Sequence, residues 1–260
     1  MFIWIRTRIS FDVCFCACEK IERLYCVWIA LTPIMPLVLV FDCETTGLLP
    51  KEGDAFPLII QLSFALYDIE SNMVIQVYDQ YVRLPSEFAL SPRVTEITGI
   101  TRETIDKEGI DIRTVLEAFY AAVIKADLLI AHNIDFDVAV ISMAASKVIS
   151  LKNYNGTPKG GSLEIQGQPI PLGRELKSRL MGCTMKKGRD LCKIERTNSR
   201  GVYYKFPTLA ELHTHLFGYV PKNLHDARTD VLCCLRCFLK MANIYDVGET
   251  EFSEWLAVVG

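Results

Sequence analysis

Val40-Phe41-Asp42-Cys43-Glu44-Thr45-Thr46-Gly47 is the stretch from which this 260-residue sequence becomes readable. It continues an apolar run, Leu37 to Phe41, whose length and β-branched content suit a buried strand. Residues two apart on a strand face the same side, so Asp42 and Glu44 lie next to each other. Adjacent carboxylates repel, and placing them at the end of a hydrophobic strand adds a desolvation cost. Two readings are open at this point. A divalent cation with a taste for hard oxygen ligands, Mg²⁺ or Mn²⁺, removes the repulsion. Alternatively, the strand ends in a turn, and the two carboxylates cap backbone amides.

Outward from this strand the pattern alternates between periods 2 and 3.6. Leu58–Leu66 and Met73–Val82 read as strands joined by a short polar link at Ile69–Asn72, hence a hairpin. Ile112, Val115, Leu116, Phe119, Tyr120, Val123 and Ile124 keep helical spacing on one face. A short strand, Leu128–Ala131, comes next, followed by helical patterning from Asp137 to about Val148. Two more helices are expected near Pro207–Leu216 and Asp226–Met241. Ahead of these two, Asn153–Gly173 holds five glycines and three prolines in 21 residues, which reads as a loop or flap. Three strands followed by alternating helix and strand predict one α/β domain with a mixed sheet.

The composition is that of a folded protein, with 50% hydrophobic and 23% charged residues. Residues 1–34 fit no period. An uncharged run of 18 residues, Leu24 to Phe41, approaches the length of a membrane span, but Pro33 and Pro36 interrupt it. Met35 directly precedes Pro36 and the first strand, so residues 1–34 read as a dispensable or mis-started extension, with an anchor or targeting segment as the alternative. The remaining expected division is a domain over 35–245, carrying an insertion at about 153–205, and a C-terminal tail over 246–260. Ten cysteines in a chain with an ample apolar core argue for reduced thiols and a cytoplasmic protein rather than a disulfide scaffold. The Cys234–Cys237 pair has zinc-like spacing but sits inside an apolar helical run, with no second ligand pair nearby.

Charge is uneven. Overall the chain carries −3, yet Arg174–Lys205 holds ten Lys or Arg against three acidic residues, leaving the remainder at about −10. Such a stretch is either a solvated face or an electrostatic footprint for phosphates.

Two further clusters sit where strands give way to helices. His132-Asn133-Ile134-Asp135-Phe136-Asp137 follows the short strand, and His225-Asp226-Ala227-Arg228-Thr229-Asp230 opens the last long helix. His225 and Asp230, five apart, do not share a face of one regular helix, so His225 belongs to the preceding loop. Its unperturbed pKa near 6.5 suits general-base work. G-x-S-x-G, H-E-x-x-H and Walker-type G-x-x-x-x-G-K are all missing, which leaves other hydrolase and nucleotide-binding classes without support.

Taken in order, the three clusters resemble the exonuclease motifs of the DEDDh branch of the DnaQ-like superfamily, on a ribonuclease-H-like fold. Asp42–Gly47 resembles D-x-E-T-T-G, His132–Asp137 resembles H-N-x-x-F-D, and His225–Asp230 resembles H-x-x-x-x-D. Ile97-Thr98-Gly99-Ile100-Thr101 is similar to the family's H-G-I-T turn, with Thr98 in place of His. The resemblance spans roughly residues 37–242. It implies a central mixed sheet flanked by helices, with Asp42, Glu44, Asp137 and Asp230 holding two Mg²⁺ or Mn²⁺ ions and His225 acting as general base. Two such ions stabilise the attacking and leaving oxygens of an in-line displacement.

It further implies that Thr45 and Thr46 meet the terminal nucleotide, that Leu48 packs on its base, and that His132 and Asn133 stand with them. Lys186, Lys187 and Arg189 are candidates for phosphate contacts. Asp135 is expected to cap a helix rather than to act as a fifth ligand. The implied activity is 3′→5′ removal of nucleoside 5′-monophosphates from nucleic acid, DNA preferred, with a DNA polymerase as a candidate partner and no membrane partner expected. Exoribonuclease action on short RNA is the alternative, and an idle nucleic-acid-binding module a more remote one.

Overall fold

The computed structural model describes residues 36–50, 56–150, 164–165, 168–169 and 171–257. A five-stranded sheet is its centre, in the order β3-β2-β1-β4-β7, built from β1 (Leu37–Thr45), β2 (Ile59–Asp68), β3 (Met73–Tyr81), β4 (Leu128–Ala131) and β7 (Leu180–Cys183). The first three strands form an antiparallel meander, and β4 and β7 add parallel to β1. The sheet is therefore mixed, as the sequence predicts.

Parallel strands need helices over both faces, and the helices supply them. On one face, Leu39, Phe41 and Cys43 of β1 pack with α3 (Ile112–Val123), α4 (Ile134–Ser150) and α5 (Leu172–Ser178). Phe119 of α3 meets Phe41 and Phe64 edge-on, with ring centroids 5.2 and 5.9 Å away. Alternation turns Val38, Val40 and Asp42 to the other face, where α8 (Ala227–Met241) lies on β1, β2 and β4. Two short helices, α1 (Pro92–Thr98) and α2 (Arg102–Glu108), close one end of the sheet through Val94, Ile100 and Ile105. Between them, the turn resembling H-G-I-T needs Gly99 at φ +72° to end α1, and Thr101 caps α2. Thr98 holds this turn with its hydroxyl, which accepts from the Ile100 N–H at 3.1 Å.

The structure corrects two of the expected boundaries. Residues 172–192 are part of the fold rather than an insertion: α5 packs into the core, β7 is a sheet strand, and α6 (Thr184–Cys192) follows it. β7 escapes sequence reading because it is a four-residue edge strand with only Gly182 and Cys183 buried. Within the expected C-terminal tail, Glu249–Ala257 forms a further helix, α9, anchored by buried Phe252. Its Trp255 meets Tyr67 of β2 at 6.2 Å. Residues 1–34 and most of the Gly/Pro-rich segment lie outside the described residues, apart from β5 (Glu164–Ile165) paired with β6 (Gln168–Pro169). No helix among the described residues is long and apolar enough to cross a membrane.

Candidate active site

β1 outruns its parallel neighbour. Its register with β4 ends at Val40, while its pairing with β2 continues to Thr45 through a bulge at Glu44/Thr45. Asp42 and Glu44 occupy this overhang, half-buried on the α8 side, while Cys43 points into the core. Past the end of β4, Asn133 at φ +76° turns the chain into α4, and buried Ile134 pins its start. Asp137, one turn in and 2% exposed, accepts two hydrogen bonds at Oδ1 from Cys43: backbone N–H and thiol, each 3.2 Å.

The third element approaches from the other face. Asp226 caps α8 by accepting from the Thr229 N–H and hydroxyl, both at 3.0 Å. His225 lies before the helix, exposed, at φ +69°, and its backbone N–H donates to Asp230 Oδ2 at 3.2 Å. This places His225 in the loop, as its spacing predicts. Single side-chain atoms of Glu44, His225 and Asp230 lie within 4.8 Å of one another.

Electrostatics tie Asp42 and Asp137 to the same cluster. Burial raises the Asp42 pKa well above the usual carboxylate range, and the charges of Asp137, Asp230 and Glu44 raise it further. Glu44 is pushed up to about 8 by burial, then by Asp230 and Asp137. Burial also raises Asp137, against the pull of its bonds from Cys43, and it raises Asp230 against its bond from His225. Four acids thus share a site, each pushed up by burial and by an acidic neighbour. Asp230 Oδ1 is buried with no hydrogen-bond partner among the described residues. Hard oxygen donors, mutual repulsion and an orphaned carboxylate oxygen fit one or more divalent cations.

The remaining expected residues divide. Thr45 donates to Gly47 O at 2.6 Å, and Thr46 accepts from the Leu58 N–H at 2.9 Å, so both hydroxyls shape the loop while Leu48, 85% exposed, stands out beside them. His132 departs from expectation. Its Nε2 faces the Pro207 carbonyl at 3.1 Å, so that nitrogen carries the hydrogen, and its Nδ1 accepts from Thr184 Oγ1 at 2.9 Å. Burial lowers its pKa to about 4, leaving a neutral ring that straps β4 to α6 and the Pro207 turn rather than a group free for substrate. Asp135 is a correction as well: it sits exposed inside α4 and pairs with Lys186, so it is not the cap. Lys186, Lys187 and Arg189 are exposed along α6; Arg189 bonds Asp190 at 3.0 Å and lies 5.5 Å over the Phe206 ring.

Sequence reading missed the groups that brace the site. Buried Gln61 of β2 donates to Asp79 at 2.9 Å and Asp226 at 3.2 Å, and accepts from the Ala227 N–H at 3.2 Å. It fixes the start of α8 against the sheet. A lone amide within Ile59-Ile60-Gln61-Leu62 was the available signal. Cys43 gives no such signal, because a small core residue is unremarkable at its position.

An exonuclease (RNase T) family model matches residues 39–156. PolC-type DNA polymerase III of Thermotoga petrophila is 30% identical over 113 residues, 44% of this chain and 8% of that protein. The Bacillus subtilis counterpart is 29% identical over 114 residues, 44% of this chain and 7% of its own length. Among solved structures, E. coli exonuclease I with a dT13 oligonucleotide aligns at TM-score 0.55 and 17% identity, over 80% of this chain and 41% of that one. The chain thus spans a small part of those polymerases and less than half of exonuclease I, and the structural likeness speaks for the fold alone. Ordered motifs, family match and sheet topology agree: residues 39–156 match the exonuclease family, the fold is ribonuclease-H-like, and the chain resembles the DnaQ-like 3′–5′ exonucleases.

Proposed function

We propose that this domain removes nucleoside 5′-monophosphates from the 3′ end of nucleic acid, with DNA as the preferred substrate. The observation that carries the reading is the convergence of Asp42, Glu44, Asp137, Asp230 and His225 at one end of the sheet. Asp42, Glu44, Asp137 and Asp230 would hold two Mg²⁺ or Mn²⁺ ions, which when bound supply charge stabilisation for the attacking and leaving oxygens. His225 takes the proton from the attacking water at a ring nitrogen and, being exposed, returns it to solvent. Asp230, accepting from its backbone N–H, keeps the His225 loop in place. Leu48 offers an apolar surface to the terminal base. Two relations support DNA over RNA: the similar polymerases are DNA polymerases, and the exonuclease I structures include complexes with dT13 and, in a zinc-bound form, with single-stranded DNA.

The test is a digest of matched 5′-labelled single-stranded DNA, mismatched duplex and RNA. Expected products are ladders shortening from the 3′ end, fastest on DNA. His225→Ala should slow turnover by about 10²–10⁴-fold, the range for a general base. Asp42→Ala turning over at the parent rate would overturn the reading, and faster loss of RNA would move the preference to the exoribonuclease alternative.

A further inference from the structure

Beyond α6 the chain forms a two-stranded ribbon, β8 (Glu195–Asn198) and β9 (Gly201–Tyr204), closed by the Ser199–Arg200 link. Every residue of both strands is exposed. A lone hairpin with no buried face is marginally stable in water, so this ribbon is not kept for the core. What it displays is aromatic and cationic. Arg196 pairs across the ladder with Tyr203, so the two share a face, while Tyr204 and Val202 occupy the other. Tyr203, Tyr204 and Phe206 are 46%, 43% and 45% exposed, unusual for three rings within four residues. Together with Arg189, Asp190 and Lys205 they line an open hollow, in which Arg189 lies over the Phe206 ring.

The hollow is joined to the carboxylate site through the backbone. Phe206 leads into buried Pro207, whose carbonyl accepts from His132, and His132 directly follows β4 beside the metal-binding strand. Gly188 lets α6 press onto this turn: a Cβ there would stand 3.0 Å from the Pro207 ring and from Leu212. The hollow therefore has a fixed base. Lys205 is tied to Glu211 and Arg189 to Asp190, so part of the local charge is already engaged, but the stretch still carries a net +7.

We infer that the ribbon and Phe206 form a stacking surface for single-stranded nucleic acid, in which the strand leading into the carboxylate site passes over the ribbon's edge and its bases are taken by Tyr203 on one face, Tyr204 on the other and Phe206 at the base. The inference deepens the exonuclease reading and rests on it for the direction of the strand. Aromatic rings bind any base through its π-face, and flanking cations neutralise the backbone. Rings spread across an exposed ribbon suit unpaired bases rather than a duplex, whose bases are already stacked.

Fluorescein-labelled dT15 binding, followed by anisotropy with Ca²⁺ in place of Mg²⁺, tests it. Tyr203→Ala/Tyr204→Ala should weaken Kd by about tenfold or more per lost stack, with an unchanged slope against salt, since no charge is removed. Tyr203→Phe/Tyr204→Phe should bind as the parent does, because the ring and not the hydroxyl is used. Parent-like Kd in the Ala pair, loss in the Phe pair, or no dT15 binding by the parent would each overturn the platform. The two readings fail separately. A parent that digests DNA with indifferent rings keeps the exonuclease and loses the platform, and a parent that binds through its rings without digesting does the reverse.

Discussion

Cys43 gives both of its donors to one oxygen: its backbone N–H and its thiol each lie 3.2 Å from Asp137 Oδ1. Burial and the adjacent Asp137 and Asp42 charges raise the thiol pKa well above its ordinary value, so it stays protonated and donating at neutral pH. The residue between the two β1 carboxylates thus orients a third carboxylate that arrives from a different layer of the fold.

Cys43→Ala removes one of these two donors and leaves the backbone one. One net hydrogen bond is worth about 1 kcal/mol, so the Mg²⁺ concentration for half-maximal cleavage should rise about fivefold, while kcat at saturating metal changes little. Cys43→Ser should restore the parent titration. Superimposable metal titrations for Cys43→Ala and the parent would show that the thiol only fills space.

The raised carboxylates make stability depend on pH in a defined direction. An acid whose folded pKa exceeds its unfolded value binds its proton more tightly when folded, so the native state is penalised once pH rises above the unfolded value. For Glu44 that window runs from the ordinary 4.5 to about 8. In EDTA the melting temperature should therefore fall as pH goes from 5 to 8. Mg²⁺ or Mn²⁺ should restore it, and restore more at pH 8 than at pH 5, because ligands must lose protons to bind. Asp42→Ala should melt higher than the parent in EDTA at pH 8, since it removes one repelling carboxylate. A parent curve that is flat, or rises, over this range would mean the four acids do not repel as placed.

The same site shows what the sequence could and could not carry. The placement of Asp42, Glu44, Asp137, Asp230 and His225 was legible because each sits at a strand end or helix start, where spacing within a few residues carries the information. The meander and α3 were legible because their apolar periods are long. β7 and the brace of Gln61, Asp79 and Asp226 were not, since each is defined by partners distant in sequence. His132 misled for a related reason: its motif position is the expected one, but two contacts, at Thr184 and Pro207, decide its role.

Among the described residues Arg236 is the largest fully buried side chain, and it lies on α8 outside the Asp42, Glu44, Asp137 and Asp230 cluster. Its guanidinium donates to Val247 O at 3.1 and 3.0 Å, to Tyr219 Oη at 2.7 Å and to Glu249 at 2.7 Å, with the Phe217 and Phe252 rings 3.9 and 4.5 Å from its Cζ. It locks α7 (Leu209–Phe217), α8 and α9 together. Arg236→Ala strands these acceptors and opens a cavity, a loss of about 3 kcal/mol. For a domain of this size that is a fall of roughly 10 °C in Tm. Cleavage measured well below the transition should stay near the parent rate. An unchanged Tm would mean that α9 is not held by this residue.

The basic face of α6 makes a prediction that separates charge from stacking. Binding to a single strand releases counterions, with log K falling against log salt by about 0.7 per neutralised phosphate. Changing Lys186, Lys187 and Arg189 together to Ala should flatten that slope by up to about two units. The loss should fall short of the full value, because Lys186 begins paired with Asp135 and Arg189 with Asp190, and those pairs must open before phosphates take their place. Asp135→Asn should accordingly strengthen binding at low salt, by freeing Lys186 from its partner. Titrating dT15 across a range of NaCl concentrations reads both effects on one plot. A slope in the triple variant equal to the parent's would make α6 a solvated face and leave the ribbon's rings to hold the strand without it.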